Sequence, residues 1–79
     1  MEGQFTKLQG QYLAFIATYT KVNGQPPAET DIQRYFRVTP PSVHLMILRL
    51  EKRGLIRRTP GRARSIEVLP LPGQLPALD

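Results

Sequence analysis

Residues 39–53 read TPPSVHLMILRLEKR, and the fold of the 79-residue chain turns on this stretch. Thr39 carries the side-chain oxygen of an N-cap. Pro40 suits the first helical position, where φ is already set and no N–H is missed. At about 100° per residue, Val43, Met46, Ile47 and Leu50 fall on one face, the stripe expected of a helix packed on a core. Pro41, His44, Leu45, Leu48, Arg49 and Lys52 occupy the opposite face. Lys52 and Arg53 suit the negative end of the helix dipole, and Gly54 supplies the stop. The stretch therefore predicts a helix from Thr39 to Arg53 with an apolar inner stripe and a basic far end.

Upstream, Leu8, Tyr12, Phe15, Ile16 and Tyr19 repeat at helical spacing from Thr6 to about Val22. This stripe is a core face. A base-stacking platform would interleave exposed aromatics with basic residues, and only Lys7 and Lys21 lie here. Thr6 suits the N-cap, and Asn23-Gly24 tolerates the left-handed stop. Gln25-Pro26-Pro27 is an extended connector, because each proline disfavours helix in the residue before it. A short second helix then ends near Arg37. Its start has two readings, a capping box from Thr30 to Gln33 or an earlier start with Ala28 as a poor cap. Ile32, Tyr35 and Phe36 form its apolar face, leaving Gln33, Arg34 and Arg37 outward. Arg37-Val38-Thr39 is a tight turn, which gives helix-turn-helix spacing.

Downstream, Leu55 to Thr59 reads as a strand, Pro60-Gly61 as a turn, and Arg64 to Leu69 as a return strand in which Ile66 and Val68 alternate with Ser65 and Glu67. The hairpin carries Arg57, Arg58, Arg62 and Arg64 at or near its tip. Residues 1–4 are expected to fray, and residues 70–79, PLPGQLPALD, read as a proline-rich linker or disordered tail. The predicted fold is mainly α with a small β-hairpin, a three-helix winged helix-turn-helix domain over residues 1–69.

Composition narrows the function. Nine of the eleven basic residues fall between Arg34 and Arg64, where Glu51 is the only acidic residue, and the net charge is +5. Such a concentration points to an anionic partner. The chain lacks cysteine, and the lone His44 has no ligand partners at suitable spacing, so neither metal nor other cofactor is expected. The longest apolar run, Tyr12 to Ala17, is far below the roughly 18–20 residues that span a bilayer. MEGQFTK lacks the pattern of a signal peptide. No membrane partner is expected, and a cytoplasmic, nucleoid-associated location is. Ser42 and Ser65 have no paired base at motif spacing and the carboxylates are scattered, so no catalysis is expected.

Phe5-Thr6, the NGQPP run at Asn23 to Pro27, Ile32, Thr39-Pro40, Leu50, the run Lys52-Arg53-Gly54-Leu55-Ile56 and the wing ending in Ile66 together carry a resemblance. Over roughly residues 5–69 the chain resembles the N-terminal DNA-binding domain of the LexA repressor family. The resemblance implies double-stranded DNA as partner, transcriptional repression, and two copies on a palindromic site. The resemblance stops short of that family's self-cleaving C-terminal domain, so self-cleavage and its dimer contacts are not carried over, and the stretch is expected to be either a DNA-binding fragment or a stand-alone small regulator.

The family's base-reading positions correspond here to Thr39, Pro41, Ser42, His44 and Leu45. Those positions are mostly polar or acidic in the family, whereas Leu45 and the nearby Leu48 can offer only methyl contacts in a major groove. Pro40 and Pro41 also remove two N–H groups that would otherwise favour anion binding at the helix start. Grip on the backbone is therefore expected from side chains: Arg34, Arg37, Arg49 and Lys52, with Arg57, Arg58, Arg62 and Arg64 on the wing. Two alternatives stand beside this reading. One is a protein-interaction module using Leu45 and Leu48, and the other is RNA binding through the basic wing.

Overall fold

The computed structural model describes residues 5–70 and 72–79; the fraying expected of residues 1–4 lies outside them. Three helices, α1 (Lys7–Asn23), α2 (Glu29–Phe36) and α3 (Pro40–Lys52), precede a two-stranded antiparallel sheet of β1 (Ile56–Arg57) and β2 (Glu67–Val68). Ile56 pairs with Val68 and Arg57 with Glu67. This is the three-helix winged helix-turn-helix arrangement.

Each helix has a chemical reason to begin where it does. Thr6 and Gln9 cap α1 reciprocally: the Gln9 N–H donates to Thr6 Oγ1 at 3.1 Å and the Thr6 N–H to Gln9 Oε1 at 2.9 Å. Helix α2 takes the earlier of its two starts. Ala28 has no side-chain oxygen to offer, but the Asp31 carboxylate reaches back to accept the Ala28 N–H at 2.8 Å. Half a capping box is enough when its acceptor is a carboxylate at the positive end of the helix dipole. Thr39 caps α3 through a long bond from the Ser42 N–H, 3.4 Å.

The ends are left-handed. Gly54, with φ of 75°, closes α3, its N–H bonding to the Glu51 carbonyl and that of Leu55 to the Leu50 carbonyl. That pair of bonds is a Schellman motif, and the buried Leu55 supplies its apolar contact. Arg37 ends α2 in the same conformation, with φ of 55°, although it is not a glycine.

The core joins Tyr12, Leu13, Phe15 and Ile16 of α1, Ile32 of α2, Val43, Ile47 and Leu50 of α3, and Leu55, Ile56 and Ile66 around the sheet. The predicted inner stripe of α3 is present, with Met46 partly buried at its edge. Tyr12 stacks on Phe36 with ring centroids 4.4 Å apart, and Phe15 on Tyr35 at 4.5 Å, so the aromatic stripe packs inward. Leu8 departs from the predicted stripe and is 53% exposed. The buried band is instead continuous from Gln9 to Ile16. Helix α1 is covered from two directions, by α2 and by β2 with the C-terminal segment, so one narrow stripe does not describe it.

Two further expectations change. Both strands are shorter than the runs 55–59 and 64–69 suggested. The Ser65 hydroxyl takes over where ladder bonds would continue, accepting the Thr59 N–H at 3.0 Å, and Arg64 adopts a φ of 54° that no strand contains. The segment expected as a linker or tail lies against α1 in its described part. Pro72–Gln74 form a 3-10 turn, and Leu75 and Leu78 pack on the core. Gln11, itself buried, donates to the Ala77 carbonyl and accepts the Asp79 N–H, both at 2.9 Å. Tyr35 donates to the main-chain oxygen of Asp79. One side chain thus supplies both a donor and an acceptor to the segment, which proline-rich composition could not announce.

Candidate nucleic-acid interface

Burial of Val43, Ile47 and Leu50 turns the other face of α3 outward, and Thr39, Pro41, Ser42, His44 and Leu45 are all exposed at its start. Several of their hydrogen-bonding groups are engaged within the fold. Thr39 Oγ1 and Ser42 Oγ share a hydrogen bond of 2.9 Å. His44 Nδ1 lies 3.3 Å from Glu29 Oε1. Leu45 and Leu48 stand 48% and 40% exposed on the same outer face.

The eight basic residues named from sequence divide into three groups. Among the described residues, Arg37, Arg49, Lys52 and Arg62 have no carboxylate within ion-pair distance. Arg34 and Arg57 are themselves exposed and reach Asp31 at 3.7 Å and Glu67 at 2.9 Å. The Arg57–Glu67 pair, exposed on both sides, contributes only about 0.2–1 kcal/mol, and the Arg34 contact is long, so either arginine can turn to a phosphate at small cost. Arg58 and Arg64 form the third group, whose guanidinium groups are used within the fold.

Arg58 sits between two carboxylates, 3.0 Å from Glu51 of α3 and 3.9 Å from Glu29 of α2. It ties the base of the wing to both helices. Arg64 was expected to project from the hairpin tip, but its left-handed backbone turns it inward. Its Nη1 donates to Asp31 Oδ2 at 2.9 Å and to Tyr19 Oη at 3.2 Å, and lies 3.5 Å from the Pro26 carbonyl. One guanidinium therefore joins the wing to α1, the proline connector and α2. Bonding to Tyr19 and the charge of Asp31 raise the Arg64 pKa. The Ala28 N–H holds the Asp31 carboxyl below its ordinary value, assisted by the charges of Arg64 and Arg34 against the opposing effect of burial.

The sequence profile described as the LexA DNA binding domain matches residues 2–65. The chain belongs to the LexA DNA-binding domain family. It is 39% identical over 69 residues to the LexA repressor of Thermosipho africanus, covering 87% of this chain and 35% of that protein. It is 38% identical over 66 residues to the LexA repressor of Thermosipho melanesiensis, with 84% and 33% covered. Against the LexA repressor of Thermotoga petrophila it is 37% identical over 79 aligned residues, with 91% and 40% covered. The chain thus spans 33–40% of the length of these curated relatives.

Within this LexA-family domain, three residues touch the candidate site in ways the sequence did not indicate, Tyr19 having been read only as part of the α1 stripe. Glu29 faces His44 and Arg58; Asp31 and Tyr19 receive Arg64. Asp31 had a local signal, since an acid three residues after Ala28 completes half a capping box. The partners of Glu29 and Tyr19 are 15 or more residues away and left no local mark. No helix among the described residues is long and apolar enough to cross a membrane.

Proposed function

We propose that this domain binds double-stranded DNA with a sequence preference and represses transcription by occupying an operator. Helix α3 lies in the major groove, and the arginine-bearing wing meets the backbone or minor groove. One observation carries the reading beyond family membership: Arg37, Arg49, Lys52 and Arg62 have no carboxylate partner among the described residues and belong to α3, the turn before it and the wing. Thr39, Pro41, Ser42, His44 and Leu45 face the bases, while Arg34, Arg57 and the four unpaired cations face phosphates. Arg58 and Arg64 hold the wing in place. A single module of this size makes few base contacts, so two copies on a palindromic site supply the working affinity. Family membership does not favour the protein-interaction or RNA-binding alternatives.

Titration of a random-sequence duplex tests the reading through backbone amide shifts. Shifts concentrated in residues 39–53 and the wing are expected; if those residues stay unmoved, the reading fails. With roughly six phosphates met, log K should fall against log salt with a slope of about −5. Arg62→Ala should weaken binding to all sequences and reduce that slope by about 1.

A further inference from the structure

Pro41, Leu45 and Leu48 are spaced i, i+4 and i+7, so they form one stripe along α3 opposite the buried Val43, Ile47 and Leu50. The polar side chains beside this stripe are partly committed. Thr39 and Ser42 bond to each other, and His44 faces Glu29. Pro40 and Pro41 have no N–H to give. One hydroxyl hydrogen of the Thr39–Ser42 pair and the Nε2 of His44 are left to read a base edge, few groups for so long a face, whereas Leu45 meets a methyl group without rearranging either contact. Arg37 precedes the stripe and Arg49 and Lys52 follow it, all without carboxylate partners among the described residues. An apolar ridge framed by cations complements a polyanion whose groove carries apolar knobs. The C5-methyl groups of pyrimidines in the major groove of DNA are such knobs.

We propose that Pro41, Leu45 and Leu48 read C5-methyl groups, so that this domain selects sites with thymine, or 5-methylcytosine in its place, against α3. This rests on the DNA-binding reading above and specifies the feature of the duplex that is recognised. Leu45 is the principal reader, being the more exposed leucine and the nearer to the helix start. Hydrogen-bonded readout by Thr39, Ser42 and His44 is then secondary.

The test begins with a site selected by the 79-residue protein from a random duplex library. Deoxyuridine is then substituted for thymine one position at a time, which removes a methyl group and leaves every hydrogen-bonding edge intact. Loss of about fourfold in affinity is expected at each contacted thymine, the effect of removing one buried methyl-sized group. Leu45→Ala and Leu48→Ala should each lose most of the difference between thymine and deoxyuridine at the position that leucine contacts and keep it elsewhere. Both side chains are exposed, and a circular dichroism melt confirms that each variant folds. Restoring the methyl as 5-methylcytosine opposite guanine should recover part of the affinity that a plain cytosine loses. Unchanged affinity on deoxyuridine, or equal sensitivity in wild type and the leucine variants, overturns methyl reading while leaving DNA binding standing. Failure to bind any duplex overturns both.

Discussion

Removing the Asp31 carboxylate should loosen the wing from a distance. Asp31 accepts the Ala28 N–H at the start of α2 and pairs with Arg64 from the wing turn, and its side chain is only 14% exposed. A hydrogen bond to a charged, largely buried acceptor contributes about 1.5–3 kcal/mol, and loss of a helix cap costs about 0.5–2 kcal/mol. Asp31→Ala should therefore destabilise the domain by about 2 kcal/mol through the capping bond, and release of Arg64 acts in the same direction. In a domain of this size that corresponds to a melting temperature lower by roughly 8–16 °C. Asp31→Asn keeps an oxygen for the Ala28 N–H and loses only the charge, so its loss should be clearly smaller.

Acid supplies a second measurement. The Asp31 pKa is lowered on folding, first by the Ala28 N–H and then by Arg64 and Arg34. Its stabilising contribution is fully present above the ordinary aspartate value of about 3.9 and is lost as pH falls through the lower value of the folded state. The gap between wild type and Asp31→Asn, read by circular dichroism melts, should be widest near neutrality and close under stronger acid. A loss below about 0.5 kcal/mol for Asp31→Ala would refute the capping argument, being less than the smallest effect expected of a lost cap. Equal losses for Asn and Ala would transfer the whole effect to the charge.

Three other perturbations separate binding from stability. Arg37→Gly relieves a left-handed backbone position worth about 1 kcal/mol but frees the unfolded chain, so the melting temperature should hold or rise slightly. The same variant should lower DNA affinity and the salt slope by about one phosphate, as read in filter binding across a salt series. Glu29→Gln removes the carboxylate facing His44 and Arg58 and should tighten binding to random duplex by roughly threefold at low salt, with fluorescence anisotropy as the readout. Deleting residues 72–79 uncovers α1 around Gln11 and removes the contacts of Leu75 and Leu78. A loss of about 2 kcal/mol, or roughly 10 °C in melting temperature, is expected with DNA affinity unchanged at temperatures where the variant stays folded.

Features fixed by neighbouring residues were legible in the sequence. The inner stripe of α3, the stop at Gly54, the proline connector and the turn at Arg37 to Thr39 each depend on residues within about one helical turn. Elements whose limits depend on remote partners were read less well. Ser65 shortens the hairpin by bonding to Thr59, six residues away. Gln11 holds a segment 66 to 68 residues further along. Leu8 fits the helical period of α1 and is nonetheless exposed, because periodicity places a side chain on a face without saying what covers it.

The basic residues draw the same division within the candidate site. The sequence by itself determined that nine of eleven cations fall between Arg34 and Arg64, that α3 has an outer face with Leu45 and Leu48 on it, and that two prolines remove two N–H donors from its start. It could not say which cations were available to a ligand. A guanidinium's partners are chosen by how the chain folds, and Arg64 reaches Asp31, 33 residues earlier, only because α1, α2 and the wing turn converge there. The tertiary structure therefore decided that Arg58 and Arg64 hold the wing to the helices, while Arg37, Arg49, Lys52 and Arg62 remain without carboxylate partners among the described residues. Charge is written in the order of residues, but its pairing depends on the distance between groups in three dimensions, which sequence separation does not give.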